Sequence, residues 1–282
     1  MDDIAITACG IDGVHVLKVF PKFEKLSQHT TRGKATDVSV NGNRSFIAEG
    51  IDGLGIYQLS AEGMLKEVRR YRVPNKTIRQ VEVPGDGRYA VVQIGIHKIQ
   101  FVDVSDASRP QKVLEDQHPG LLYGDQLLRG VIDDRYTCAF WHVSGLHWYD
   151  LQAEGGPRYT GDNFPGRIGS SNGLIAHRNS TLAITRGEYL LIDRDERRPL
   201  ADVPLYRVDA KRRHLGKPTI AGNQLVTVNR QSGLVTIAKI ADQRQPKLID
   251  QFTLPGNPSR PVIHERVLII PDGYHGLLAF DH

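Results

Sequence analysis

Seven short connections of one kind recur through this 282-residue chain. Two are near copies: Ala8-Cys9-Gly10-Ile11-Asp12-Gly13-Val14 and Ala48-Glu49-Gly50-Ile51-Asp52-Gly53-Leu54. Each lies between two apolar runs, as a tight connection between strands would. Related segments are Ile94-Gly95-Ile96-His97-Lys98-Ile99, Val143-Ser144-Gly145-Leu146, Thr185-Arg186-Gly187-Glu188, Gln231-Ser232-Gly233-Leu234 and Asp272-Gly273-Tyr274-His275-Gly276-Leu277. With Gly13, Gly53, Lys98, Gly145, Gly187, Gly233 and Gly276 as markers, the spacings are 40, 45, 47, 42, 46 and 43. A unit of this length holds several short elements that cannot bury their apolar faces alone, so neighbouring units must stack.

One unit shows what the elements are. Thr77 to Val83 reads as a strand and Pro84-Gly85-Asp86-Gly87 as its turn. Arg88 to Gln93 reads as a second strand and Ile99 to Val104 as a third, the latter with the apolar alternation of a half-buried strand. Asp106 to Pro110 turns the chain, and Gln111 to Leu114 opens a fourth strand. No segment carries a 3.6-residue apolar period. The pattern predicts an all-β, seven-bladed β-propeller with about four short antiparallel strands per blade. It predicts one domain over 1–282, with repeats at roughly 1–34, 35–76, 77–121, 122–165, 166–211, 212–256 and 257–282. The chain opens on a second-strand pattern, Ile4 to Ala8, and closes on a third-strand pattern, Leu277 to His282. The end blades are therefore expected to hold three strands.

Composition excludes some classes. No apolar run is long enough to span a bilayer. Met1-Asp2-Asp3-Ile4 lacks the basic-then-apolar start of a secretory leader. A cytoplasmic protein is expected if Met1 is the native start, and an extracytoplasmic one if a leader was removed. Cys9 and Cys138 lie far apart in strand-like sequence and read as small core residues rather than a disulfide scaffold.

The stretch Phe101-Val102-Asp103-Val104-Ser105-Asp106-Ala107-Ser108-Arg109-Pro110 resembles the LVIVD repeat family: an apolar strand, an Asp, a Ser/Asp/Pro turn and an outer strand. Degraded copies end at Pro199 and Pro246. The resemblance implies a seven-bladed bacterial or archaeal propeller. Similar propellers include enzymes acting on rhamnose–glucuronic acid linkages. The repeat motif is structural, so the resemblance carries over no catalytic residue, and Asp103 and Asp106 read as turn formers.

In a propeller the connections between second and third strands, and those between consecutive blades, converge at a channel mouth. The inter-blade connections, taken as Ser27–Thr36, Val73–Glu82, Glu115–Gln126, Asn163–Asn172, Asp209–Pro218 and Pro255–His264, hold ten Lys/Arg against five Asp/Glu. The whole chain carries +4. A cleft lined by one sign of charge attracts the other, and arginine's fork suits carboxylate, sulfate or phosphate. The expected ligand-binding residues are Arg32, Lys34, Arg79, Trp141, His142, Arg167, Arg186, Arg213, His214, Arg230, Arg260 and Tyr274. His97 and His275 are the best-placed groups for proton transfer. Glu49 and Asp272 end second strands and are alternative acids. Trp148 and Tyr149 read as core. No third residue completes a metal set with His142 and His147, and neither metal nor cofactor is expected. The expected ligand is an acidic, uronic-acid-containing glycan, and the chemistry expected of an enzyme here is that of a lyase or glycosidase. The alternative is a non-enzymatic scaffold holding an acidic protein. Lys211-Arg212-Arg213-His214 is too short a basic run to predict nucleic-acid binding.

Overall fold

The computed structural model describes residues 3–19, 22–95, 98–117, 128–131, 136–141, 145–163, 173–178, 180–184, 188–193, 196, 198–204, 218–264 and 267–281. Its strands form seven antiparallel sheets in which spatial order follows chain order. The first holds β1 (Ile4–Ala8), β2 (Val14–Lys18) and β3 (Glu24–His29). The next hold β4 (Asp37–Asn41), β5 (Arg44–Ala48), β6 (Leu54–Leu59) and β7 (Leu65–Tyr71), then β8 (Ile78–Glu82), β9 (Tyr89–Ile94), β10 (Lys98–Asp103) and β11 (Gln111–Gln117). Then come β12 (Leu128–Val131), β13 (Tyr136–Trp141), β14 (Gly145–Asp150) and β15 (Arg158–Asn163), and β16 (Gly173–His177), β17 (Ser180–Ile184), β18 (Glu188–Asp193) and β19 (Pro199–Pro204). The last two sheets hold β20 (Thr219–Ala221), β21 (Gln224–Val228), β22 (Leu234–Lys239) and β23 (Lys247–Thr253), and β24 (Val262–His264), β25 (Val267–Pro271) and β26 (Leu277–Asp281). Among the described residues the only helical turn is the 3₁₀ segment Gly273–His275.

The expected count of seven blades needs correction. Five sheets are complete four-stranded blades, and the first and last have three strands each. The first lacks an inner strand before β1, and the last lacks an outer strand after β26. Backbone contacts divide the chain into two compact units: Met1–Trp141 with His147–Gly161, and His142–Leu146 with Asp162–His282.

Within the first unit, strand alternation sends successive side chains to opposite neighbours. Phe46, Ala48, Leu54 and Ile56 pack on Ile78, Val81, Ala90 and Val92 of the following sheet. Ile47, Tyr57 and Leu59, on the other face, pack with Val14 and Val16 of the preceding one. Both faces are therefore covered, and the middle strand β9 is buried throughout. The second unit uses the same plan. Val226, Val228, Val235 and Ile237 meet Leu268 and Ile270, while Leu225 and Ile240 meet Leu182, Tyr189 and Leu191. Trp148 and Tyr149 are fully buried, as expected of core aromatics.

The outer turns are closed by aspartate. Asp103 Oδ1 accepts the N–H and hydroxyl of Ser105 at 2.9 and 2.6 Å, and Asp106 Oδ1 does the same for Ser108. These short Asx-type bonds explain the Asp-Ser-Asp-Ala-Ser pattern without any chemistry.

The marker glycines have a steric cause. Gly53 has φ 94°, and a Cβ added there would lie 2.2 Å from the Tyr71 carbonyl oxygen. Gly13 stands in the same relation to His29, also at 2.2 Å. The turn after the second strand thus touches the backbone at the end of the fourth. Gly42 also has positive φ, 60°, but has no neighbour within 4 Å of an added Cβ. Gly42→Ala is expected to cost only the left-handed backbone penalty, about 1–2 kcal/mol, whereas Gly53→Ala adds a backbone clash and costs more. Urea unfolding of the two variants checks this; equal midpoints would remove the close approach as the reason for the repeat.

Candidate functional site

The turn end of the first unit is held together by main-chain bonds between sheets. Gly10 and Ala35 exchange two N–H···O bonds, at 3.0 and 2.9 Å. Gly50 and Ile78 do the same at 3.1 and 2.9 Å, and Gly95 N–H reaches the Thr77 carbonyl at 2.8 Å. Turn 9–13, loop 31–35, turn 49–53 and loop 72–78 therefore lie side by side. This contiguous strip carries exposed Arg32, Lys34 and Lys76, and half-buried Arg79. Lys34 lies over the first turn, its Cε 3.7 Å from where a Gly10 Cβ would be. Ile11 and Ile51, at the same position of the two turns, are 84% and 64% exposed.

Beneath the strip lies a polar cluster that charge and spacing did not reveal. Glu49, just after β5, is completely buried. Its Oε2 accepts from Arg70 Nη1 at 2.7 Å and from the Arg32 backbone N–H at 2.9 Å, with Gly33 N–H at 3.4 Å. Its Oε1 accepts the Tyr57 hydroxyl at 2.6 Å and Arg70 Nη2 at 3.2 Å. Arg70 Nη2 also donates to Glu67 Oε2 at 3.0 Å and to the Tyr57 hydroxyl oxygen at 3.1 Å. Glu67 in turn pairs with the Arg32 side chain at 3.4 Å. Burial and the adjacent Glu49 carboxylate push the Tyr57 hydroxyl far up, so it stays a donor. Burial raises the Glu67 carboxyl, but the Arg70 hydrogen bond and charge outweigh it, and the net shift is downward.

Gly55 makes this cluster possible. A Cβ there would lie 2.3 Å from Glu49 Oε1 and 2.4 Å from the Tyr57 ring. In the first sheet the equivalent places, set by Gly13 and by the register Val14–His29, hold Cys9, His15, Leu17 and Gln28. Glu49, Gly55, Tyr57 and Arg70 thus depart from that sheet together. A glycine inside a strand signals close approach of another group, and it is the one cue in the sequence that points here.

In the second unit Arg230 is exposed on the turn whose N–H groups at Gln231 and Ser232 bond Asn229 Oδ1, at 3.0 and 3.2 Å. His275 is exposed in the 3₁₀ turn, as is Arg260 in the loop before β24. Asp272 joins these two segments: its buried Oδ2 accepts the Gly256 N–H at 3.0 Å. Glu49 and Asp272 therefore each hold a preceding inter-sheet loop by its backbone. The backbones of Trp141 and Tyr274 are a strand end and a 3₁₀ turn. His97, His142, Arg167, Arg186, Arg213 and His214 lie outside the described residues. No group of three or more metal-ligating side chains occurs among the described residues.

No protein-family model matches the chain, and no curated protein sequence does. The likeness of Phe101–Pro110 to the LVIVD repeat accordingly stays a resemblance. Solved structures are similar in fold. The periplasmic gluconolactonase PpgL of Pseudomonas aeruginosa superposes with a TM-score of 0.76 at 13% identity, covering 98% of this chain and 91% of that one. BamB from Moraxella catarrhalis gives 0.64 at 16% identity, covering 100% and 82%. The computationally designed protein Ika8 gives 0.67 at 8% identity, covering 100% and 81%. With the sheet topology, these likenesses show an all-β propeller built mostly of four-stranded sheets.

Removing one member of the buried pair strands the other. Glu49→Leu and Arg70→Met are each expected to cost about 3–5 kcal/mol, and the double variant less than their sum. A double-mutant cycle by chemical denaturation measures the coupling; additive costs would mean that the two groups do not depend on each other. Glu67 sets a pH dependence. Its lowered folded-state pKa stabilises the fold above the ordinary glutamate value, about 4.3, and that contribution is lost as pH falls through the folded-state value. The stability gap between the wild type and Glu67→Gln should therefore close on acidification from pH 6, and a gap that widens would contradict the assignment.

Proposed function

We propose that this chain is a ligand-binding propeller whose turn end captures an anionic partner. The observation that carries the reading is the contiguous strip of Arg32, Lys34 and Lys76 around the exposed Ile11 and Ile51. Guanidinium and ammonium groups attract acid groups, and the two turn-tip isoleucines offer apolar contact that a polar sugar does not need. An acidic protein segment bearing apolar residues fits this pairing best.

The glycan reading keeps specific support in the second unit, where Arg230, Arg260 and His275 are solvent-facing on turns and loops. A uronic-acid oligosaccharide would use their charge, with His275 as the candidate catalytic group. Trp141, His142, Tyr274, His97, Arg167, Arg186, Arg213 and His214 remain candidates for an anionic ligand by residue type alone.

The strip is tested with Arg32→Glu/Lys34→Glu and with Ile11→Ser/Ile51→Ser. Titrated against an acidic peptide containing leucine and against oligogalacturonate, wild-type binding should weaken as salt rises from low to physiological strength, because exposed charges are screened. The charge variant should lose both ligands, and the isoleucine variant the peptide alone. Undiminished binding of both ligands by the charge variant sinks the proposal. Formation of an unsaturated or shortened oligosaccharide, abolished by His275→Ala, would instead select the enzymatic reading.

A further inference from the structure

The fold also has a cationic groove beside the turn-end strip. It is an open depression of about 300 Å³ on the outer edge of the first unit, where the end of β7 faces the turn leading into β11. Arg69, Arg70 and Arg72 line one wall, and Ser108, Arg109 and Gln111 line the other. No carboxylate lines it.

The four guanidiniums are not equivalent. Arg70 is committed to Glu49 and Glu67, and Arg72 pairs with Asp52 Oδ1 at 3.0 Å. Arg69 and Arg109 are exposed and form no ion pair among the described residues. Asp106, the acid nearest Arg109 in sequence, has its Oδ1 engaged by the Ser108 N–H and hydroxyl within its own turn. Two exposed planar cations without a salt bridge therefore line the groove from separate segments, Arg109 with Asp106 as its nearest acid.

We propose that this groove binds a dianionic oxyanion, a phosphate or sulfate group, held between Arg69 and Arg109. Two positive charges on facing walls match a group that carries about −1.5 to −2 at neutral pH. Each guanidinium can present two parallel N–H donors to a pair of its oxygens. The group could arrive as a free ion or as the ester of a larger molecule.

Calorimetric titration with inorganic phosphate, inorganic sulfate and glucose 6-phosphate, at low salt, tests this on the full chain. Saturable one-site binding is expected, and Arg69→Ala/Arg109→Ala should weaken it by about tenfold or more, ~1.4 kcal/mol. Both side chains are exposed, so the thermal midpoint of that variant should match the wild type, and Arg109→Glu alone should abolish binding. Preference for the ester over both inorganic ions would identify a larger molecule as the source; preference for an inorganic ion would identify the free anion. The turn-end variant Arg32→Ala/Lys34→Ala should bind all three probes as the wild type does, which separates this site from the proposed function. Absence of saturable binding in the wild type, or equal affinity in the Arg69/Arg109 variant, overturns the proposal.

Discussion

Hydrogen bonds between residues one repeat apart hold consecutive sheets in step. In the first unit Asp37 Oδ2 accepts the Val81 N–H, and the Ser39 hydroxyl oxygen accepts the Val83 N–H. Asn41 donates to the Gly85 carbonyl, and the Thr36 hydroxyl to the Arg79 carbonyl. At the far end Arg44 reaches across to the Gly87 and Val104 carbonyls. The Gly10–Ala35 and Gly50–Ile78 bridges complete the set at the turn end. Each such bond is worth only about 1 kcal/mol net. Their effect is geometric: they satisfy the polar edges of the inner strands and set how one sheet follows the next. Apolar packing of Phe46 and Leu54 on Ile78 and Val92 then has a fixed register in which to occur.

The outermost strands are the more solvent-exposed ones, and their composition shows it. β7, β11 and β23 expose Val68, Val113, Leu248 and Ile249. They also carry Lys66, Arg69, Lys112 and Lys247. Charged side chains on an edge strand oppose pairing with another chain, and Arg69 has that structural role whatever it binds. The groove and the turn end are also physically continuous. Arg70 lines the first, bonds Glu49, and through Glu49 reaches the backbone of the loop that bears Arg32.

That Glu49 cluster illustrates the trade in burying charge. Desolvating a carboxylate and a guanidinium costs several kcal/mol each, and the pair recovers this only when its remaining donors and acceptors are filled. Tyr57, Glu67 and the Arg32 N–H fill most of them, while Arg70 Nε stays buried without an acceptor among the described residues. Apolar side chains, as Leu17 is at the place of Tyr57 in the first sheet, would have been the simpler core. The cluster instead orders a loop, which apolar side chains cannot do because they offer its N–H groups no acceptor.

Much of the fold was legible because it rests on local causes. Alternating apolar residues, Asp-Ser turns and glycines at regular intervals each dictate backbone shape over a few residues, and β8 to β11 formed nearly where Thr77 to Leu114 predicted them. The thin end sheets were legible for the same reason. The basic loops were visible by composition, so Arg32, Lys34 and Arg79 could be named, although Arg32 proved to be tied to Glu67. The sequence by itself therefore determined the strand repeat, its turns and the excess of cations in the loops. Only the tertiary structure decided which of these meet. Glu49, the pair Gly55 and Tyr57, and Arg70 come from three segments of one sheet, and Arg69 and Arg109 belong to two different sheets. Their association follows from strand register and sheet stacking, which are set by long-range packing and leave no periodic mark in the chain.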